Sequence, residues 1–164
     1  MSALEDRIRD LIYLEAELLD DLDLQQWLDI FTKDGIYWVP IDERAERHES
    51  ASLIYDDAVS RQERVHHLLQ LPFPAQNPRS RTVHFVSNLR VSHIAPGTYK
   101  VRSSQLIAES RPGDYTQIGL GKVATYVAKV EHHIEEVEGT LKVKLKKILL
   151  INRDMPLGNL TFML

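Results

Sequence analysis

Long runs of alternating apolar and polar residues fill the second half of the chain, from about residue 80 to residue 151. A period of two is typical of strands that bury one face of a sheet. Turn-forming residues separate the runs at positions 96–98, 112–114 and 138–139. The pattern predicts four long strands joined by tight turns, an arrangement that favours an antiparallel sheet.

The first of these four strands is interrupted part-way along. Val83 and Phe85 begin the alternation, and Leu89 and Val91 resume it. We therefore expect a bend or bulge near residues 87–88. The other strands are predicted over residues 99–110, 115–130 and 141–151.

The first half of the chain has helical periodicity instead. Residues at three- and four-residue steps from Leu4 to Leu19, with Glu15 among them, form one side of a predicted helix. Shorter helices are predicted over residues 24–31 and 58–71. Gly35 is expected to end the second helix in a left-handed conformation.

Three segments between the helices and the long strands are predicted to be non-helical. β-Branched and aromatic residues predict a short strand over residues 36–39, which Pro40 closes. Residues 42–53 are crowded with charge and have no apolar period, so they predict a loop. Prolines make residues 72–79 an extended connector.

Helices first and long strands afterwards predict an α+β fold. Because long strands usually curl, we expect a curved antiparallel sheet with helices lining one face. The chain has 164 residues and a mass of 18.9 kDa, which is the size of a single domain spanning residues 1–164.

The absence of cysteine restricts the chemistry open to this chain. It excludes disulfides, cysteine-ligated zinc and iron–sulfur clusters, including the Rieske type. The formal net charge of −4 and the lack of a basic run argue against nucleic-acid binding. No signal-peptide pattern and no membrane-spanning stretch are found, so we expect a cytoplasmic location without membrane contact.

Seven histidines prompt a test for a metal site. The adjacent pairs at 66–67 and 132–133 point in different directions on any regular element, so neither pair chelates well. His84 and His93 would lie on opposite faces of an unbroken strand. A set of two histidines and a carboxylate from distant positions stays an alternative, but structural histidines are the favoured interpretation.

Asp56 and Asp57 lie where the predicted loop meets the third helix. The simplest interpretation is that they cap this helix or complement its dipole. The alternative is a buried general base with a raised pKa, partnered by His84 or Tyr115 in a cone-shaped pocket.

Arg79, Arg81 and Arg90 surround the start of the first long strand. Guanidinium groups there could clamp a carboxylate ligand, because their geometry suits it. Ion pairing within the protein or across an interface is the favoured interpretation.

Several segments occur in an order that is specific as a series. They are residues 15–21 (EAELLDD), 34–40 (DGIYWVP), 55–57 (YDD), 64–65 (RV), 78–91 (PRSRTVHFVSNLRV) and 151–154 (INRD). The series resembles the small (β) subunit of aromatic-ring-hydroxylating dioxygenases. Lys122 stands where the family pattern has arginine, which leaves the subfamily and the substrate open.

The resemblance implies a cone-shaped α+β fold like those of nuclear transport factor 2 and the ketosteroid isomerases. In this fold a curved antiparallel sheet wraps around the amino-terminal helices. It implies a non-catalytic structural subunit that forms a trimer within a three-plus-three hexamer with large (α) subunits. No cofactor is then expected in this chain. The Rieske 2Fe-2S cluster and the mononuclear iron are expected on the large subunit, which oxidises an aromatic compound with O2 and electrons from NAD(P)H.

The resemblance also indicates which residues belong to subunit interfaces or structural motifs. They are Tyr55, Asp56, Asp57, Arg64, Arg81, His84 and Asn88. Two other hypotheses stay open. One is a free-standing cone-fold enzyme, of the isomerase or dehydratase type, that uses Asp56 or Asp57 with a histidine as acid and base. The other is a small-ligand-binding module with Arg81 in its pocket.

Overall fold

The computed structural model describes residues 3–44, 51–112, 121–158 and 160–164. Within these residues one sheet of six strands packs against three helices. The strands are β1 (Phe31–Pro40), β2 (Ser52–Asp56), β3 (Arg81–Ala95), β4 (Thr98–Ser110), β5 (Val123–Val137) and β6 (Thr140–Leu150). The helices are α1 (Ala3–Asp20), α2 (Leu24–Asp29) and α3 (Ala58–Gln70), followed by a short 3-10 helix at Pro74–Gln76.

The strands follow the order β2-β1-β6-β5-β4-β3 across the sheet. The four long strands, β3 to β6, form the predicted antiparallel meander. β1 lies beside β6 in the parallel direction. The expectation of a wholly antiparallel sheet is therefore wrong at this pair, because β1 reaches β6 through the rest of the chain and not through a hairpin.

A single hydrophobic core lies between the helices and the concave face of the sheet. α1 turns Ile8, Ile12 and Leu19 toward the sheet, and β4 contributes Val101 and Ile107. Burial of each such side chain stabilises the fold by about 1.5–3 kcal/mol. The alternation of buried and exposed residues along β4 and β5 leaves the other face of the sheet toward solvent.

The boundary between α2 and β1 differs from the prediction. α2 ends at Asp29 and β1 begins at Phe31, so Gly35 lies inside the strand and is not a left-handed helix stop. A Cβ atom at Gly35 would lie 2.9 Å from the carbonyl oxygen of Val143 and 3.1 Å from Phe31 Cδ1. Glycine is required here because β6 passes so close to β1.

The bulge expected near residues 87–88 is confirmed. The register between β3 and β4 shifts after Ser87, and Asn88 has a φ of 55°. Asparagine is among the residues that tolerate this left-handed conformation. The bulge lies in the strand that packs against α1.

Two further boundaries differ from the prediction. β2 lies partly in the segment expected as a loop, since its backbone pairs with β1 despite the lack of an apolar period. β5 continues to Val137 instead of ending at residue 130. Its predicted start falls in residues 113–120, which with Tyr115 lie outside the described part of the chain. No helix among the described residues is long and apolar enough to cross a membrane.

Candidate functional site

The residues predicted to form a site lie at opposite edges of the sheet. Tyr55 and Asp56 belong to β2, one edge strand, whereas Arg81 and His84 belong to β3, the other edge strand. Five strand spacings separate the two edges, or about 24 Å measured along the sheet. The structure therefore divides the predicted set into two clusters and does not bring it together in one pocket.

Asp56 and Arg64 form a two-point ion pair where β2 leads into α3. Arg64 Nε lies 2.5 Å from Asp56 Oδ2, and Arg64 Nη2 lies 3.0 Å from Oδ1. The Asp56 side chain is 6% exposed. The hydrogen bonds from Arg64 to Asp56 raise the pKa of the guanidinium. Both carboxylate oxygens are engaged, so Asp56 is not poised to act as a general base.

Asp57 caps α3, as the simplest interpretation predicted. Its Oδ1 accepts a hydrogen bond of 2.9 Å from the backbone N–H of Ser60. Backbone hydrogen bonding from Ser60 lowers the pKa of this exposed carboxyl. The alternative of a buried base with a raised pKa is therefore wrong for Asp57. The suggested partner His84 lies at the far edge of the sheet, and Tyr115 lies outside the described residues.

An open cleft of about 480 Å³ lies beside the Asp56–Arg64 pair. α3 contributes Ser60 and His67 to its wall, and the carboxyl-terminal segment contributes Thr161. Charged and aromatic side chains alternate around it, and it is open to solvent. Small-molecule sites are usually enclosed and mostly apolar, so this open, mixed lining is more typical of a surface that contacts another polypeptide.

Tyr55 lies on the outer face of the sheet at the same edge. Its ring packs edge-on against Trp38 of β1, with 6.0 Å between the ring centroids. Lys147 of β6 places its Nζ 4.7 Å from the centroid of the Trp38 ring. These contacts cover the outer side of the β2-β1-β6 part of the sheet.

His84 joins the opposite edge of the sheet to the end of α1. Its Nδ1 lies 2.5 Å from Asp20 Oδ1, and its backbone N–H donates to Asp20 Oδ2 at 2.9 Å. Thr82 adds a third hydrogen bond to Asp20. Burial raises the pKa of Asp20, but the hydrogen bonds from His84 outweigh it and hold the pKa below 3.8. The carboxylate also satisfies an amide of an edge strand, which removes one pairing position from that edge.

Arg81 and Asn88 are exposed on the outer face of β3. Neither contacts a partner side chain among the described residues. Arg81 is exposed, which does not support the hypothesis of a ligand pocket built around it. A role in contact with another chain stays a prediction for both residues.

The most deeply buried charges form a cluster that the sequence did not predict. Glu15 of α1 lies 3.1 Å from Lys146 Nζ on β6 and 2.7 Å from His132 Nε2 on β5. All three side chains are at most 1% exposed. Trp27 Nε1 donates a further hydrogen bond to Glu15. Because a carboxylate only accepts, Nε2 is the nitrogen of His132 that carries a proton.

The cluster keeps Glu15 ionised inside the core. Burial alone would raise the pKa of Glu15, but the charge of Lys146 and the contact with His132 outweigh it and hold the pKa far below 4.5. Lys146 also donates to the carbonyl oxygen of Leu164 at 2.8 Å. Tyr37 bonds the same residue through its hydroxyl. These contacts tie the carboxyl-terminal segment into the core.

Residues 14–156 match the family model described as ring hydroxylating beta subunit. The chain belongs to this family. This chain is 34% identical over 146 residues to the small oxygenase component of the p-cumate 2,3-dioxygenase system of Pseudomonas putida. The match covers 87% of this chain and 77% of that protein. Matches to several other curated relatives cover 61–64% of the length of those proteins.

Solved structures confirm the cone-shaped α+β fold of this chain. The beta subunit of the benzoate 1,2-dioxygenase of Burkholderia mallei superposes with a TM-score of 0.73 at 23% identity, covering 95% of each chain. A naphthalene 1,2-dioxygenase with bound indole superposes with a TM-score of 0.81 at 21% identity, covering 100% of this chain and 87% of the other. These identities are low, so the likeness establishes the fold.

The buried cluster of Glu15, His132 and Lys146 does have a signal in the sequence. Glu15 falls on the apolar stripe of α1, where a charge must find a partner. His132 alternates in phase with the buried Val130 and Ile134 on β5. The phase of each residue showed that it faces inward, but the pairing depends on how α1 crosses the sheet, which the sequence does not specify.

The described residues of this chain hold no group of three or more His, Asp or Glu side chains placed to bind a metal ion. The chain also has no cysteine for an iron–sulfur cluster. These residues therefore do not fit a Rieske cluster or a mononuclear iron site.

Proposed function

We propose that this chain is the non-catalytic, structural subunit of a multicomponent aromatic-ring-hydroxylating dioxygenase. Family membership supports the small-subunit role, since the family model for ring hydroxylating beta subunits matches residues 14–156 of the chain. The relative with 34% identity is the small oxygenase component of a p-cumate dioxygenase system. Its substrate belongs to that protein and does not specify the aromatic compound for this one.

The proposed partner is a large subunit that carries the Rieske 2Fe-2S cluster and the mononuclear iron. The reaction there uses O2 and electrons from NAD(P)H. We propose that three copies of this chain form a trimer within a three-plus-three hexamer. A cytoplasmic location goes with this proposal, because the electron donor is a soluble nucleotide.

The observation that carries the proposal is the filled interior of the cone. A cone-fold enzyme needs an open pocket for its substrate, and such pockets usually measure about 300–1,000 Å³. Here Trp27, Tyr37 and the paired charges of Glu15 and Lys146 occupy the interior with exposures of 0–1%. A cavity of about 10 Å³ between α1, α3 and β3 has no room for an aromatic ring.

In this role the chain contributes geometry. A ring of small subunits holds the large subunits so that the cluster of one lies near the iron of its neighbour. Fixed positioning of reacting groups can supply a large part of a rate enhancement. Residues at the two sheet edges, such as Arg81 and Asp57, are the proposed contacts.

Co-expression with the accompanying large subunit tests the proposal. A tag on this chain should recover a red complex with iron and the absorption bands of a Rieske cluster. The chain purified alone should contain no iron and should not convert a panel of aromatic acids that includes p-cumate. Turnover by the isolated chain, or the absence of any co-purifying large subunit, would contradict the proposal.

Surface variants sharpen the test. Arg81→Ala and Asp57→Ala should lower the yield of the complex, because they remove proposed contacts. Lys33→Ala is the matched control, since Lys33 is exposed and has no side-chain partner among the described residues. Equal yields for all three variants would argue against a role of these residues in assembly.

A further inference from the structure

We infer that copies of this chain associate head to tail: the outer face of β3–β5 on one copy docks against the exposed side of α1 on the next. The inference rests on the proposed function, because that proposal includes a trimer of small subunits. It assigns two different surfaces to the contact, which we call the sheet patch and the helix patch.

The sheet patch has an apolar centre. Val83 is 50% exposed and Phe85 is 58% exposed, although both lie within a long strand. Leu106, directly opposite Phe85 on β4, is 40% exposed. Neighbouring exposed apolar residues of this kind mark surfaces that another molecule covers.

Basic side chains flank this apolar centre at both ends. Arg81 lies beyond Val83, and Arg90, Arg102 and Lys129 lie beyond Phe85. Arg90 and Arg102 are direct cross-strand partners. Like charges in that arrangement destabilise a sheet. Glu131 of β5 lies opposite Arg102 but forms its ion pairs with Lys100 and His133. Among the described residues none of the four bases has an acid within ion-pair distance, so acids from another chain would relieve the repulsion.

The helix patch has the opposite charge. Asp6, Asp10, Glu17 and Asp21 are exposed and recur at helical spacing along and just beyond α1. Between the two acidic pairs lie Tyr13 and Leu14, which are 49% and 41% exposed. None of the four acids has an ion-pair partner in the part of the chain that the structure describes.

The two patches match in order as well as in sign. Each has an apolar centre between charged ends, and the helix patch spans about 22 Å from Asp6 to Asp21. The sheet patch spans about 30 Å from Arg81 to Arg90. Two copies of the same patch would repel each other, so each patch is expected to face the other one. The proposed trimer requires this contact to run head to tail.

The two patches lie next to each other on one protomer. Tyr13, Glu17 and Asp21 line one groove together with Phe85, so the patches adjoin along the edge strand β3. Head-to-tail contacts form rings when the rotation between neighbours closes, and filaments when it does not. A closed ring of three is the form that the proposed trimer requires.

Cross-linking in the co-expressed complex tests the contact, and the chain has no cysteine of its own to interfere. One tagged copy carries Leu14→Cys, and a second, differently tagged copy carries Phe85→Cys. A short bismaleimide should join the two copies only when both are present. Homodimers of the Phe85→Cys copy, or no cross-link in an intact complex, would overturn the inference and leave the proposed function standing.

Apolar substitutions test the energetics. Phe85→Asp and Tyr13→Arg should each weaken self-association of the purified chain by about 10- to 100-fold in Kd, because they disturb the centres of the patches. Combining them on one chain should recover at least about tenfold, since each interface then joins an acid to a base. Sedimentation velocity provides the measurement.

Ile151→Asp is the control, because Ile151 is 60% exposed but belongs to neither patch. Its association should equal that of the wild type, and denaturant curves should show that all variants are folded. A Phe85→Asp chain that self-associates normally but loses the large subunit would assign the sheet patch to that partner and overturn the inference. A wild-type chain that binds no large subunit would contradict the proposed function instead.

Discussion

The concave and convex faces of the same strands carry charge in opposite ways. On β6, Lys146 points inward and is paired with Glu15, whereas Lys147 points outward over an aromatic ring. On the outer face of β3 and β4, Arg90 and Arg102 are direct cross-strand partners of like charge. The inward charges of Glu15 and Lys146 are paired within the chain. On the outer face Lys100 pairs with Glu131, whereas Arg90 and Arg102 have no ion pair among the described residues. Because successive side chains of a strand point to opposite faces, the residues that stabilise the fold are separated from those that another chain could contact.

The inward cluster also specifies how the layers fit together. Glu15 is the point at which α1 contacts both β5 and β6 through polar groups. A buried ion pair adds little net stability, because desolvation offsets the attraction. Removing one partner is costly, however, since the other charge is then buried alone. We therefore expect the cluster to fix the position of α1 more than to strengthen the fold.

The largest expected effect follows from breaking this pair. Lys146→Met leaves Glu15 buried without its main counter-charge and should lower the free energy of unfolding by about 3–5 kcal/mol. Urea denaturation followed by circular dichroism measures it. Lys147→Met, one residue away on the outer face, is the matched control and should cost well under half as much. Equal losses for the two variants would erase the distinction between the faces.

A close approach inside the sheet gives the next effect. Gly35→Ala places a methyl group 2.9 Å from the Val143 carbonyl oxygen, so β1 and β6 must move apart. We expect a loss of about 1–3 kcal/mol in the free energy of unfolding. Gly158→Ala, where a Cβ meets nothing within 4 Å, should change it little. An unchanged denaturation midpoint for Gly35→Ala would mean that the strands are not so closely packed.

The junction between the two faces gives a comparable or smaller effect. Asp20→Ala leaves the edge amide and the ring of His84 without their acceptor, which should cost about 1–3 kcal/mol. Asp21→Ala is its neighbour control on the exposed side, and we expect its stability to stay near that of the wild type. If instead Asp21→Ala were the less stable variant, the contact between α1 and β3 would have to be revised.

Acid should loosen the inward contacts gradually. The pKa values of Glu15 and Asp20 are lowered in the folded chain. Lowered carboxyl pKa values contribute stability that is fully present above the unfolded pKa and is lost as pH falls toward the folded one. We therefore expect constant stability near neutral pH and a decline that begins below about pH 5. Denaturant midpoints measured from pH 7 to pH 3 check this, and a rise in stability with acid would contradict it.

The sequence predicted the α+β class, the three helices and the four long strands because these depend on local periodicity. It missed the parallel pairing of β1 with β6, since this pairing joins segments more than a hundred residues apart. It misassigned Gly35, because the reason for that glycine is the distance to β6. The predicted site residues had local signals in the motifs, but their division between two sheet edges follows from strand order alone.

We propose that the interior of this chain takes no part in the chemistry of the complex. The most direct test replaces the inward pair by the neutral side chains of Glu15→Gln and Lys146→Met together, and measures turnover per iron in the complex with the large subunit. Similar volume and the loss of both charges should preserve the fold better than either single change. We predict turnover per iron equal to that of the wild-type complex. An intact complex with full iron content and lost turnover would contradict the claim.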